Sequence, residues 1–236
     1  MTAPPEFHPY SPSHLTVIFL TVVVPVLLAV IVHRTKSRVL ERSICLTISA
    51  LLIINYIAYL IGARQFGVTA WWKALPLQLC DWAMIVIIVA LWTGNRRWLE
   101  IAYFWGIGGT LQALLTPNLR FGFPDLRFIS FFVAHSGIII GIIFLMLVYG
   151  FRPRPISLLR TIAWTEVYFV VVLPVDLMTG ENYGFLLHQP EAASLLSFLS
   201  NSRVLYLIEF HLLAWLFFGL LYLPFAVVDL VRRQKL

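Results

Sequence analysis

Residues 75–93, LPLQLCDWAMIVIIVALWT, are apolar enough and long enough to cross a bilayer as one helix. Hydrocarbon offers no water to backbone N–H and C=O groups, so a spanning run must be helical or part of a closed barrel. Runs of the same character recur along the chain, which is 60% hydrophobic and 12% charged, with a mean hydropathy of +0.88. Soluble domains average about 45–50% apolar and about 25% charged residues. The chain is therefore read as an all-α, polytopic integral membrane protein, with residues 1–236 forming one domain.

Seven transmembrane helices are predicted, over about residues 15–33, 44–63, 75–93, 98–116, 127–149, 158–178 and 204–231. Pro25 marks an expected kink in the first. Gly106, Gly108 and Gly109 in the fourth and the Gly137-xxx-Gly141 pair in the fifth point to close helix packing. Trp71 and Trp72 suit an interfacial belt, and the long segment 179–203 is expected to hold a short interfacial helix. The first apolar run has no basic residue before it and is followed by His33 and Arg34. It is read as a retained helix rather than a cleaved signal.

Of the 17 Lys and Arg residues, twelve fall in the segments 34–42, 96–97, 152–160 and 232–235. The other five, Arg64, Lys73, Arg120, Arg127 and Arg203, fall on the opposite side. The positive-inside rule then places the N-terminus outside and the C-terminus in the cytoplasm, in a multi-pass plasma-membrane protein. The net charge of +6 is assigned to these loops and not to nucleic acid. Lys36, Lys73 and Lys235 all lie outside the predicted spans, which argues against a retinal-type Schiff base. Cys45 and Cys80 fall at opposite ends of the membrane and are not expected to pair.

At about 1.5 Å of rise per residue, the topology gives each polar side chain a depth. Gln78, Cys80 and Asp81 begin the third helix, with Cys80 about 8 Å below its outer end. Asn55 and His135 lie about 12 Å down, Gln112 about 6 Å, and Glu209 and His211 about 8–11 Å. Thr116 and Asp176 stand at outer helix ends, with Glu166 deeper. The inner half is almost wholly Leu, Ile, Val, Phe and Trp. A carboxylate costs about 2.5–3.5 kcal/mol near a helix centre, so this asymmetry predicts a polar cavity in the outer half of the bilayer. Asn55, Gln78, Asp81, Gln112, Thr116, Asp176, Glu209 and His211 are its candidate lining.

A thiol and an imidazole in one cavity suit covalent acyl transfer, with a thiolate nucleophile and a base to generate it. Burial and Asp81 both disfavour the Cys80 thiolate, so a base is required. His135 and His211 both qualify, oriented by Glu209 or Asp176. No HxxxH or HExxH pattern points to a metal, and no soluble cofactor is implied. Two other readings stand beside this one. One is a transporter of a small solute or protons using Asp81, Asp176 and Glu209; the other is a structural membrane protein.

The runs LPLQLCDW, GIGGTLQALLTPNL, FISFFVAHSG, GENYGFL and LLYLPF, in this order from about residue 70 onward, resemble the YwaF-like bacterial integral membrane proteins. That family is similar to animal transmembrane acyltransferases that move acyl chains onto ether phospholipids, and through them to androgen-induced-gene-type lipid hydrolases. The resemblance implies a nucleophilic Cys80 with His135, and Gln112, Thr116, Asn182 and Tyr183 lining the same region. It implies a membrane phospholipid or fatty acyl substrate. Gln78 departs from the pattern, since the bacterial relatives commonly carry His two residues before the cysteine. Asp176 stands where they often have an amide.

Overall fold

The computed structural model describes residues 5–63, 68, 70–190 and 194–233. Arg64, Gly67 and Lys235, assigned above to a loop and the tail, lie outside the described residues. The described chain is helical, with one isolated bridge between Glu6 and Phe121. Its α-helices are α1 (Pro12–Thr35), α2 (Arg38–Gly62), α3 (Leu79–Thr93), α4 (Arg96–Trp105), α5 (Leu111–Leu115), α6 (Leu126–Tyr149), α7 (Pro155–Thr179) and α8 (Arg203–Arg233). Five of them, α1, α2, α6, α7 and α8, are long and apolar enough to cross a membrane, and α3 is a shorter apolar helix.

Several boundaries differ from the sequence expectation, each for a local reason. The basic run RTKSRVLER is mostly helix. Lys36 ends α1 in the left-handed region, and the Ser37 hydroxyl caps α2 by accepting the Leu40 N–H. The third apolar run becomes helical only at Leu79: Gln78 is extended at the N-cap with its N–H held by the Asp81 carboxylate, and the Leu77 carbonyl accepts from Tyr168. The fourth is continuous over 96–115, but Gly106–Thr110 form a π turn between α4 and α5. In the segment 179–203 the short helices are single 3-10 turns, Tyr183–Phe185 and Leu195–Phe198.

The glycine pairs do what their spacing suggests. A Cβ on Gly137 would lie 2.7 Å from Leu52 of α2, and one on Gly141 would lie 3.0 Å from Ile87 of α3. A Cβ on Gly106 would lie 2.2 Å from Ile142. α6 therefore lies against α2, α3 and the π turn at backbone-limited distance. In hydrocarbon, this close van der Waals packing holds helices together. Leu52, Ala83, Ile87, Trp105, Ile138 and Ile142 form the dry centre.

Two ends of the bundle are tied differently. At the N-terminal face, Phe7 N–H donates to the Arg120 carbonyl. The buried His14 donates from Nε2 to the Leu114 carbonyl, 2.8 Å away. At the opposite face, Arg96 donates to the Tyr149 carbonyl, and Arg42 reaches the last carbonyls of α3. There Glu100, 1% exposed, receives Arg154 at 3.3 Å and Arg160 at 2.7 Å. Cys45 and Cys80 are both free thiols.

Candidate functional site

The start of α3 is held from three directions. The Leu77 carbonyl accepts the Tyr168 hydroxyl of α7 at 2.8 Å. Gln78, extended at the N-cap, donates its N–H to Asp81 Oδ2 at 3.0 Å. The Gln78 side-chain carbonyl accepts the Gly184 N–H at 2.9 Å. The loop that supplies Gly184 is itself fixed. Asp176 Oδ1, at the end of α7, accepts the Tyr183 N–H at 2.8 Å, and the Tyr183 hydroxyl donates to the Trp72 carbonyl. Gly184 has φ +60°, and a Cβ there would lie 2.2 Å from the Tyr168 hydroxyl oxygen. Only glycine fits this position without displacement.

Cys80 is the second residue of α3, inside this clamp. The Asp81 N–H, next in the chain, donates to the Gln78 carbonyl at 3.0 Å. Tyr56, Tyr59 and Tyr168 lie within electrostatic reach of the thiol and of Asp81. Trp82 packs edge-on to Tyr168, with ring centres 5.3 Å apart. Burial, followed by Glu181 and Asp176, pushes the Tyr183 phenol up to about 12. At neutral pH it remains the O–H donor that Trp72 requires.

His135 is buried in α6. Its Nδ1 donates to the Phe131 carbonyl at 2.7 Å, and its ring stacks on Phe131 at 4.1 Å. A carbonyl only accepts, so Nδ1 carries a proton, and in the neutral ring the lone pair is on Nε2. α3 and α6 run side by side in the same direction and end together at Gly94 and Tyr149. Ile87 meets Gly141. Seven residues back along each helix stand Cys80 and Ala134, so His135 shares the depth of Cys80. Among the described residues, no hydrogen bond joins the two. The π turn backs the same level: a Cβ on Gly109 would meet Leu79 at 3.4 Å. The buried Thr110 hydroxyl there has no partner among the described residues.

The remaining candidates are dispersed. Asn55 donates to the Ser130 carbonyl at 3.1 Å and ties α2 to α6. Gln112 and Thr116 stand on the exposed side of α5, where the Thr116 hydroxyl donates back to the Gln112 carbonyl. Asn182 Oδ1 accepts the Leu187 N–H at 2.8 Å and shapes the loop that carries Tyr183. Glu209 Oε2 accepts the Ser200 N–H at 2.6 Å. His211 donates from Nδ1 to the Leu207 carbonyl and places Nε2 3.2 Å from Glu166 Oε2. Gln78, Cys80, Asp81, Asp176 and Tyr183 thus form one linked group, and Glu209 and His211 belong to α8 with partners of their own. Asp176 Oδ2 has no hydrogen-bond partner among the described residues, and among them no group of three His, Cys, Asp or Glu stands ready for a metal.

A family model described as the TMEM164 family matches residues 9–222. The chain belongs to the TMEM164 family. The match runs from ahead of α1 into the second half of α8, so it takes in the clamp, Cys80 and His135. Membership and the five long apolar helices together make this TMEM164-family chain a multi-pass integral membrane protein. No curated protein and no solved structure matches it.

In this TMEM164-family chain, Tyr168, Gly184 and Thr110 belong to the site although nothing in their spacing singles them out. Tyr168 sits among apolar residues of α7 and meets Leu77 from 91 positions away. Gly184 carried a usable signal, since a glycine inside GENYGFL marks a backbone position that tolerates positive φ. Glu166 was legible as an intramembrane acid, but its pairing with His211 was not.

Proposed function

We propose that this is a seven-span plasma-membrane protein, N-terminus outside and C-terminus cytoplasmic, that transfers or hydrolyses phospholipid acyl chains through a thioester on Cys80. The observation that carries this reading is the shared depth of Cys80 and His135 on adjacent, parallel helices, with His135 Nδ1 already committed to Phe131. That commitment leaves Nε2 as the base. His211, the other candidate, has its Nε2 against Glu166. The α3 run and the α4–π–α5 run supply the sixth and seventh spans beside the five long helices. The family resemblance noted above points to the same chemistry.

The chemistry runs in two displacements. His135 Nε2 takes the Cys80 proton as the sulfur attacks an ester carbonyl carbon of a phospholipid. The acyl C–O bond breaks, and the departing lysophospholipid oxygen takes the proton back from His135. The acyl chain is then a thioester on Cys80. An acceptor lipid hydroxyl, or water, gives its proton to Nε2 and attacks that carbonyl. The Cys80 sulfur leaves and recovers the proton. The Leu79 and Cys80 N–H groups that open α3 have no carbonyl one turn earlier to bond, unlike the Asp81 N–H, which donates to the Gln78 carbonyl, and this helix end favours negative charge. Those two N–H groups suit the oxyanion of each tetrahedral intermediate. The Gln78–Gly184 and Tyr168–Leu77 bonds keep that turn in place.

The test uses the full chain in phosphatidylcholine vesicles with a labelled acyl chain and an unlabelled lysophospholipid acceptor. Label is expected in the acceptor lipid or in free fatty acid. C80A abolishes it, and H135Q lowers the rate by about 10²–10⁴-fold, the range for losing a general base. Turnover that survives C80A overturns the reading.

A further inference from the structure

At the face opposite the N-terminus, a cavity of about 430 Å³ opens between the end of α1, the start of α2 and the end of α6. His33, Lys36, Arg38, Glu41 and Tyr149 provide its polar lining. Its internal charges are only partly balanced. Glu41 is buried and receives Arg38 at 3.2 Å, and the Tyr149 hydroxyl also bonds to it. This uses up the one carboxylate among the described residues that line the cavity. Lys36 has no carboxylate partner among the described residues, and its backbone takes the left-handed conformation that turns α1 into α2. The Arg38 side chain is 87% exposed and keeps donors available beyond Glu41. His33 donates from Nε2 to the Leu147 carbonyl, leaving Nδ1 uncommitted.

Two further features give the occupant its character. The first turn of α2, 25 residues long, starts at this cavity, and its positive end favours an anion. The same elements carry exposed apolar side chains: Val30 and Ile31 on α1, Val39 (78% exposed) on α2, and Leu147 on α6. An acyl chain can lie along them while a headgroup sits among the cations. We infer that this cavity binds the phosphate of an anionic phospholipid, one whose headgroup brings no compensating amine. The site is separate from the Cys80 end of the bundle, and the inference stands whether or not acyl transfer occurs there.

The experiment is native mass spectrometry of the detergent-purified full chain titrated with phosphatidylglycerol, phosphatidylcholine or inorganic phosphate, alongside thermal unfolding. Retained phosphatidylglycerol and a raised Tm are expected, with phosphatidylcholine retained less and inorganic phosphate giving no shift. K36Q weakens phosphatidylglycerol retention about fivefold, as for one cation near an anionic headgroup, and K36R restores it. K73Q, at the other face beside Glu181, leaves it unchanged. Among the described residues the Lys36 side chain has no ion-pair partner to lose, so K36Q also keeps the fold. Equal retention of the two lipids, no effect of K36Q, or a Tm shift from inorganic phosphate alone equal to that from the lipid each overturns the inference.

Discussion

The Gln78 side-chain carbonyl accepts the Gly184 N–H at 2.9 Å, joining residues 106 positions apart. This single bond locks the loop after α7 onto the first turn of α3, where Cys80 lies. Q78A removes it at a cost of about 1 kcal/mol. Hydrogen exchange at the Gly184 amide is expected to speed up about fivefold, the equivalent of that free energy. The amides of α6 stay unchanged in the same experiment.

Gly184 itself is the least replaceable residue of the clamp. In G184A the residue keeps a positive φ that alanine resists, and its methyl group meets the Tyr168 hydroxyl. A loss of about 1–3 kcal/mol is expected from the backbone alone. Y168F costs about 1 kcal/mol through the lost bond to Leu77. Combined with G184A, it removes the atom that the methyl strikes. The double variant should unfold at a higher denaturant concentration than the sum of the two single losses predicts.

Glycines elsewhere separate packing from conformation. G137A drives a methyl into Leu52 and should cost about 1–3 kcal/mol, as overpacking does. A Cβ at Gly219 in α8 would meet nothing within 4 Å. G219A should be neutral or should stabilise by up to about 1 kcal/mol through helix propensity. Thermal unfolding of both in one detergent decides the matter.

The sequence made the apolar helices legible because a bilayer leaves a span few alternatives. The glycine interfaces were legible too, because Gly137 and Gly141 keep helical spacing. The start of α3 was not, since the Tyr168 hydroxyl and the Gly184 N–H reach Leu77 and Gln78 there from distant segments. The acids show the same limit. Asp81, Asp176 and Glu209 were all assigned to one cavity, yet each accepts a backbone N–H, from Gln78, Tyr183 and Ser200. Depth along a helix can be counted from the sequence, but the loop that folds back onto a carboxylate cannot. Counting from the sequence put Cys80 about 8 Å and His135 about 12 Å down their helices, and that α3 and α6 lie side by side needed the Ile87–Gly141 contact.

The buried Glu100 predicts a ranking. Arg160 is 31% exposed and holds Glu100 at 2.7 Å, whereas Arg154 is 64% exposed and holds it at 3.3 Å. R160M leaves a buried carboxylate poorly compensated and should cost about 3–5 kcal/mol, the range for breaking a buried pair. R154M should cost less, because a well-solvated partner contributes little. Denaturant midpoints of the two variants test the order.

Asp125 gives a pH dependence outside the spans. It caps α6 through the Arg127 N–H and also accepts two hydrogen bonds from the Arg127 guanidinium, which hold its carboxyl below the usual value. A depressed folded value means that this contribution is complete above the ordinary carboxylate pKa of about 4. It is lost as pH falls through the lowered value. Hydrogen exchange in the first turn of α6 should therefore rise in acid. D125N should flatten that rise.

The most direct measurement is the intact mass of the full chain after brief exposure to phosphatidylcholine vesicles. An added acyl mass that hydroxylamine removes, located on the peptide containing Cys80 and absent from C80S, is the expected result. An unmodified Cys80 in a preparation that turns lipid over, or an adduct that persists in C80S, contradicts the thioester.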